Sequence, residues 1–122
     1  MDKLNAYIPT LGRVLLGVLF LVAGIGKLAG GVEGFAGYIT SGGLPAFLAW
    51  PVVVFEILAG IAIIVGYQTR YVALALAAFC LVSGIMYHGA ADMSGLLKNI
   101  ALTGAFLRLY ASGAGALAID KA

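Results

Sequence analysis

The sequence predicts an all-α membrane protein, an antiparallel bundle of four transmembrane helices with a short amphipathic helix in the first outer loop. Hydrophobic residues make up 63% of its 122 residues, charged residues make up 10%, and the mean hydropathy is +1.11. A soluble domain carries about a quarter charged residues, because it must cover a surface that faces water. A charged fraction of 10% is too low to cover such a surface. We therefore expect lipid around most of the chain.

Four apolar stretches approach the length of about 20 residues that a membrane helix requires. The first lies near the N-terminus like a signal peptide, but three comparable stretches follow it and Lys27 interrupts the region where cleavage would occur. We therefore expect it to be retained, and we treat residues 1–122 as a single membrane domain. The predicted spans are 10–28, 46–66, 70–88 and 96–112, the last a little short.

The first connection, residues 29–45, is longer than the others and rich in glycine. Within it, apolar residues follow the i, i+3, i+4, i+7 spacing of an amphipathic helix, at Val32, Phe35, Ala36 and Ile39. Ser41-Gly42-Gly43 would end this helix. Its simpler role is to plug the top of the bundle, and the alternative is a lid over a cavity.

Aromatic and basic residues predict how the spans are oriented. Tyr and Trp prefer the membrane–water interface, and here Tyr7, Tyr67, Tyr71 and Tyr110 fall at one set of helix ends, with Tyr38, Trp50 and Tyr87 at the other. With both termini inside, the inner side holds five basic residues and the outer side two. This excess favours an N-in, C-in orientation. The inner residues are Lys3, Arg13, Arg70, Arg108 and Lys121, with Arg13 and Arg70 as interface anchors, and the outer ones are Lys27 and Lys98.

Small residues recur along the spans and predict close helix packing, which drives association in lipid. They are Gly17 and Gly24 in the first span, Ala59 and Gly60 in the second, Ala73 and Ala77 in the third, and Gly104 in the fourth. Gly60 lies one turn beyond Glu56. The helix face that carries Glu56 should therefore meet another helix.

Glu56 is the one ionisable residue in the apolar segment 50–66. An acid at the centre of a membrane helix costs roughly 2.5–3.5 kcal/mol, so the fold must supply a proton, a cation or a polar cavity. Pro51 leaves two starting points for the helix. A start at Ala46 places Glu56 roughly 15 Å along the helix, and a start at Trp50 places it about 9 Å along.

Other polar residues are expected at the same end of the bundle. Lys27 closes the first span, His88 closes the third, and Lys98 with Asn99 opens the fourth. A Lys27–Glu56 or Lys98–Glu56 pair would satisfy the acid, with Arg108 as a rival. Two interpretations stay open: an ion pair that only joins helices, or a polar site for a quinone, a lipid headgroup or another small molecule.

Several other functions find little support in the composition. The net charge of +2 is too small and scattered to indicate nucleic acid. One histidine, with Met86 and Met93 nearby, is too little for a metal or haem site, so no metal is expected. The one cysteine, Cys80, cannot form an intramolecular disulfide and is interpreted as a packing residue.

A series of motifs resembles the DoxX family of small membrane proteins. In order, they are Gly12-Arg13 with Leu15-Leu16, Phe20-Leu21-Val22-Ala23-Gly24 to Gly26-Lys27-Leu28, Gly43-Leu44-Pro45, Glu56 with Gly60, Gly66 with Thr69-Arg70, His88, and Lys98-Asn99-Ile100-Ala101-Leu102. The resemblance implies a four-helix bundle in a bacterial cytoplasmic (inner) membrane. Some relatives are linked to a thiosulfate:quinone oxidoreductase or to oxidative-stress enzymes. Arg108 lies outside the pattern, which favours the two lysines as partners of Glu56.

The resemblance implies a membrane subunit associated with a quinone-linked or oxidative-stress redox system. The predicted ligand-binding residues are Lys27, Glu56, His88, Lys98 and Asn99, with Glu56 or His88 as the catalytic candidate that moves a proton. The chain has no cysteine pair or flavin fingerprint, so any oxidoreductase activity would need a redox partner protein, with quinone as the cofactor. A non-enzymatic scaffold or assembly factor and a carrier of a lipid-like molecule are the alternatives. Whether copies of the chain form a homo-oligomer is left open.

Overall fold

The computed structural model describes residues 2–87 and 92–120, and this part of the chain is helical without strands. A short tail without regular structure, residues 113–120, follows the last helix. The elements are α1 (Asp2–Ala29), α2 (Val32–Ser41), a 3₁₀ turn (Ala46–Leu48), α3 (Ala49–Val65), α4 (Thr69–Tyr87) and α5 (Met93–Ser112).

Three helical segments in the described ranges are long and apolar enough to cross a membrane: Leu4–Ala29, Ala46–Val65 and Thr69–Tyr87. Only 28–33% of each apolar window is buried inside the molecule, so the remainder requires an apolar solvent. The 20-residue helix α5 is not among these segments, because Lys98, Asn99 and Arg108 lower its hydropathy. Three of the four predicted spans therefore have the composition of a membrane helix.

Helices α1 and α3 pack closely together, and their backbones meet at Gly17 and Gly60. A Cβ atom added to Gly60 would lie 2.7 Å from the backbone nitrogen of Leu21 and 2.8 Å from the carbonyl oxygen of Gly17. The face predicted from Glu56 and Gly60 thus meets another helix. Gly104 was also predicted to allow close packing, but nothing lies within 4 Å of its added Cβ.

We expect Gly60→Ala to lower the free energy of unfolding by about 1–3 kcal/mol, because the added methyl group overpacks a contact made by backbone atoms. Gly104→Ala is the matched control. It adds the same group in open space within a helix and should be neutral or stabilising by up to about 1 kcal/mol. Unfolding in mixed micelles would measure both, and equal effects at the two glycines would contradict the close approach.

Helices α4 and α5 form a second close pair, in which Gly84 lies against the side chain of Asn99. Phe20 of α1 joins this pair to the first. Its ring centroid lies 5.5 Å from that of Phe106 and 6.2 Å from that of Phe79, both edge-on. Such aromatic contacts add about 0.5–1.5 kcal/mol each beyond the area they bury. The two helix pairs therefore share a core in the middle of the bundle.

The turn between α3 and α4 is short and is held by the C-terminal tail. Gly66 ends α3 in the left-handed conformation, with φ of 73°, where a side chain would be strained. Asp120 accepts hydrogen bonds from the backbone N–H groups of Thr69 (2.7 Å) and Gln68 (2.8 Å) at the start of α4. These bonds, that of Thr69 foremost, lower the pKa of Asp120. The tail thus supplies the N-cap of α4.

Arg13, which was predicted as an interface anchor, makes contacts that the sequence did not predict. Its side chain is buried, with the residue only 2% exposed, and its guanidinium donates to four carbonyl oxygens. The tail folds back beneath α1 and supplies three of these acceptors. The acceptors are the carbonyls of Ala114, Ala116 and Leu117 in the tail and of Ile64 in α3. Arg70, the other predicted anchor, is exposed.

The start of α3 gives the position of Glu56 along that helix. The helix begins at Ala49, so Pro51 falls in its first turn, where a missing N–H breaks no helical hydrogen bond. Glu56 therefore lies about 10 Å along α3 at 1.5 Å per residue. The helical segment as a whole begins at Ala46 with the 3₁₀ turn, so the structure does not single out either predicted starting point, Ala46 or Trp50.

Candidate functional site

The acid in the apolar segment is paired with a lysine. Lys27 Nζ lies 2.7 Å from Oε1 and 2.8 Å from Oε2 of Glu56, so both carboxylate oxygens accept a hydrogen bond. The Glu56 side chain is 3% exposed, whereas that of Lys27 is 29% exposed. The carboxylate is therefore enclosed, and the ammonium group lies at the edge of the enclosed space.

Close packing of α1 on α3 brings the two groups together. Gly24 lies against Ile57 and the Cβ of Glu56, and Lys27 follows Gly24 by about one turn in the last turn of α1. A cation is favoured there by the helix dipole. The ammonium also lies 4.6 Å from the ring centroid of Phe35, within range of a cation–π contact with α2.

A cavity of about 680 Å³ extends from this ion pair into the bundle. Side chains from all five helices line it, and most of them are apolar. Its polar lining groups are Lys27, Tyr38, Glu56, Ser83, Tyr87 and Asn99, which lie toward the end of the bundle that α2 covers. The cavity therefore has a polar end and an apolar body.

Helix α2 forms the roof of this cavity. It is the helix predicted from the spacing of its apolar residues, and Val32 and Ile39 are buried against the start of α3. Tyr87 of α4 donates a hydrogen bond to the carbonyl of Ile39 (2.8 Å), and its ring stacks on Tyr38 with 4.8 Å between centroids. Burial, followed by proximity to Tyr87, raises the pKa of Tyr38, so its phenol stays protonated at neutral pH.

The structure brings together three of the five predicted site residues: Lys27, Glu56 and Asn99 line the cavity. The predicted Lys27–Glu56 pair is present, and Asn99 Nδ2 donates to the Gly95 carbonyl of its own helix (3.1 Å). Lys98 is exposed and does not line the cavity, so the alternative pair with Glu56 is wrong, and Arg108 is exposed as well. His88 lies outside the described residues.

Sequence reasoning missed the tyrosines and Ser83 as lining groups of the site. Tyr38 and Tyr87 had the positions of interfacial aromatics, and only the fold reveals that they stack on one another. The sequence feature that could have identified Tyr38 is its place beside Ile39, on a helix predicted to cover the bundle. Ser83 had no signal, because its hydroxyl donates only to the Cys80 carbonyl of the preceding turn.

The chemistry available at the polar end is hydrogen bonding and charge. An ammonium has three N–H donors, and the two bonds to Glu56 leave one for the acceptor of a ligand. Within residues 2–87 and 92–120 no three His, Cys, Asp or Glu side chains gather as metal ligands. A ligand that fits would combine a hydrogen-bond acceptor with a larger apolar part.

The fold and the cavity together define an α-helical membrane protein with an enclosed ion pair beside an apolar cavity. The chain belongs to the DoxX family, whose model matches residues 8–89.

Three relatives extend this assignment. The chain is 35% identical to the inner membrane protein YqjF of Escherichia coli strain K12, over 99% of this chain and 95% of that protein. It is 30% identical to the inner membrane protein YphA of the same strain, over 91% and 86%. It is 34% identical to a Bacillus subtilis strain 168 protein named "Putative oxidoreductase CatD", over 80% of each chain. No solved structure matches the chain significantly.

Proposed function

We propose that this protein binds a quinone or a similar lipid-soluble molecule in its cavity and acts as a membrane subunit of a redox system. The observation that carries the proposal is the cavity of about 680 Å³ with the Lys27–Glu56 pair at its polar end. Ligand pockets commonly measure about 300–1,000 Å³ and combine an apolar lining with a few polar groups. The cavity has that size and that distribution of polarity.

A quinone matches the lining by its chemistry. Its carbonyl oxygen would accept from the third N–H of Lys27, and its flat ring would lie among Phe35, Phe55 and Phe79, which all line the cavity. Reduction of a quinone to a quinol takes up two electrons and two protons, and Glu56 would pass these protons to the ring oxygens, with His88 as the alternative proton carrier. Asn99 would orient the ring, and exposed Lys98 has no part in this proposal.

Electrons would come from a redox partner protein. The chain has a single cysteine, Cys80, which is buried in the core, and a thiol relay needs two. The oxidoreductase name of the Bacillus subtilis relative supports a redox association, whereas the names of the two Escherichia coli relatives record only the inner membrane.

The proposed topology has four spans with both termini in the cytoplasm of a bacterium. Helix α5 would be the fourth span, since it packs along α4 and buries Phe106 and Leu109 in the bundle. The excess of basic residues at the inner helix ends supports this orientation. The ion pair would then lie in the outer half of the inner membrane.

Native mass spectrometry of the detergent-purified protein tests the proposed ligand. We expect a co-purified molecule with the mass of a quinone on the wild-type chain and its loss from Glu56→Gln and Lys27→Met. Lys98→Met is the matched control, because it removes an exposed lysine that does not line the cavity, and it should keep the ligand. A wild-type chain that stays empty after incubation with quinone would contradict the proposal.

The second candidate function is a scaffold in which the ion pair only fastens helices. The bonds from Lys27 to both carboxylate oxygens favour it, as does their position beside the Gly24 contact of α1 with α3. On this interpretation Glu56→Gln would destabilise the protein, and no ligand would be found in the wild-type chain. The same spectra therefore distinguish the two functions.

A further inference from the structure

We infer that the cavity opens sideways into the lipid between α1 and α4 and admits a membrane-resident amphiphile, whose head reaches the ion pair while its chain stays in the bilayer. This inference rests on the proposed function for the identity of the ligand. The route of entry, however, is argued from the cavity wall alone. The two can therefore fail separately.

Part of the cavity wall is exposed on the outside of the bundle. Ala75, Ala78, Val82 and Met86 line the cavity and are exposed, and their spacing places them along one side of α4. Leu19 of α1 also lines the cavity and is 46% exposed. Exposed lining residues on both α1 and α4 are the pattern expected where a cavity opens between two helices, and we call the space between them the fissure.

The arrangement of the helices explains the fissure. Helix α1 packs on α3 and α4 packs on α5, whereas α1 and α4 are not a closely packed pair within the described ranges. Ala75 and Met86, the outermost of the exposed lining residues on α4, are about 16 Å apart along the helix at 1.5 Å per residue. Side chains bridge the space between these helices at Phe20 and Phe79, whose ring centroids are 6.2 Å apart.

The chemistry of the opening identifies the phase that it faces. Its side chains on α1 and α4 are apolar, and they belong to the segments Leu4–Ala29 and Thr69–Tyr87, which are long and apolar enough to span a membrane. A mouth that faced water would expose these apolar groups at a cost of about 25 cal/mol per Å². The fissure is therefore suited to contact lipid chains.

The route from the aqueous side is covered by α2. The Tyr87 hydroxyl is bonded to the Ile39 carbonyl, and the Tyr87 ring lies so close to Gly42 that an added Cβ would clash with it. The volume of about 680 Å³ suits a drug-sized head. A chain long enough to cross half of the roughly 30 Å hydrocarbon core would have to leave through the fissure.

The first test follows ligand entry in lipid nanodiscs, with a benzoquinone that bears a ten-carbon chain as the probe. Phe79→Trp in a Trp50→Phe background supplies a fluorescent reporter in the cavity wall, and Leu102→Trp is the second reporter if the first lowers the yield of folded protein. Ala78→Phe/Val82→Phe should slow quenching by the probe about tenfold, because the added rings block the fissure. Leu74→Phe/Leu81→Phe, at exposed α4 residues that do not line the cavity, should leave the rate unchanged. Equal rates in the two double variants would overturn the inference.

The second test uses no quinone, so it decides the route even if the proposed ligand is wrong. Lipids brominated on their acyl chains should quench the tryptophan in the cavity wall about as strongly as they quench a tryptophan on the outer surface, introduced by Ile85→Trp. Ile85 is 61% exposed and does not line the cavity. Ala78→Phe/Val82→Phe should remove most of the quenching from the cavity reporter. If brominated lipid does not quench the cavity reporter in the protein without Ala78→Phe/Val82→Phe, the inference is overturned.

Discussion

Lys27→Met is expected to lower the free energy of unfolding by about 3 kcal/mol, and Glu56→Gln by about 1–2 kcal/mol. The difference comes from burial, since the Glu56 side chain is 3% exposed and that of Lys27 is 29% exposed. Without Lys27, a carboxylate stays enclosed beside an apolar cavity with no cation. Without the carboxylate, the ammonium group can turn toward its exposed side, which keeps the loss small.

The double variant Lys27→Met/Glu56→Gln separates the pair from its parts. It leaves no uncompensated charge, so we expect a loss of about 1–2 kcal/mol and, given the two single losses, a coupling energy of about 2–4 kcal/mol in the double-mutant cycle. Unfolding in micelles titrated with sodium dodecyl sulfate would measure all three variants. Lys98→Met is the control for removal of a lysine and should stay within about 0.5 kcal/mol. A loss that small for Lys27→Met would mean that the pair contributes nothing to stability.

The ion pair could be predicted from the sequence, because an acid in an apolar segment costs free energy however the helices are arranged. Composition therefore identified Glu56, and the positions of the helix ends reduced its partners to a few. The sequence could not decide whether Lys27 or Lys98 pairs with Glu56. Lys98 and Asn99 are consecutive residues of α5, about 100° apart around the helix, and only the fold shows that Asn99 faces the cavity.

The roof of the cavity was predicted in part. The spacing of apolar residues in 32–39 placed α2 correctly, because burying one face of a helix leaves a periodic pattern. The contact of Tyr38 with Tyr87 joins helices that are distant in the chain, and such a contact leaves no local pattern. The simpler role predicted for α2, a plug, and the alternative, a lid, are both compatible with its place over the cavity.

The contacts of Arg13 could not be predicted from the sequence for a different reason. Three of its four acceptors are backbone carbonyls in residues 113–120, and every residue type carries such a carbonyl. The tail has no periodic apolar pattern, so nothing in its side chains indicates that it returns to α1. The sequence therefore predicted an interface anchor, and only the fold shows that Arg13 is buried and bonded to the tail.

Replacing Arg13 by Met is expected to release the C-terminal tail and to lower the free energy of unfolding by about 2–4 kcal/mol. Hydrogen bonds to a charged group contribute about 1.5–3 kcal/mol each, but the freed carbonyls of the tail can bind water, so the four bonds do not add. The amide groups of Ile119 and Asp120, which donate to the carbonyls of Val65 and Gly66, should lose protection from hydrogen exchange. Exchange measured by mass spectrometry on the C-terminal peptide would follow this loss.

Two further variants distinguish the contribution of the guanidinium geometry of Arg13 from that of its positive charge. Arg13→Lys keeps the charge but loses the planar fork that reaches carbonyls from both the tail and α3, so it should restore little of the protection. Arg108→Met removes an exposed arginine and should leave the C-terminal amides protected. Full protection in Arg13→Lys would mean that the positive charge alone holds the tail. In that case the carbonyl contacts would be interchangeable, and the tail would be held chiefly by attraction between residue 13 and Asp120, the acid that caps α4.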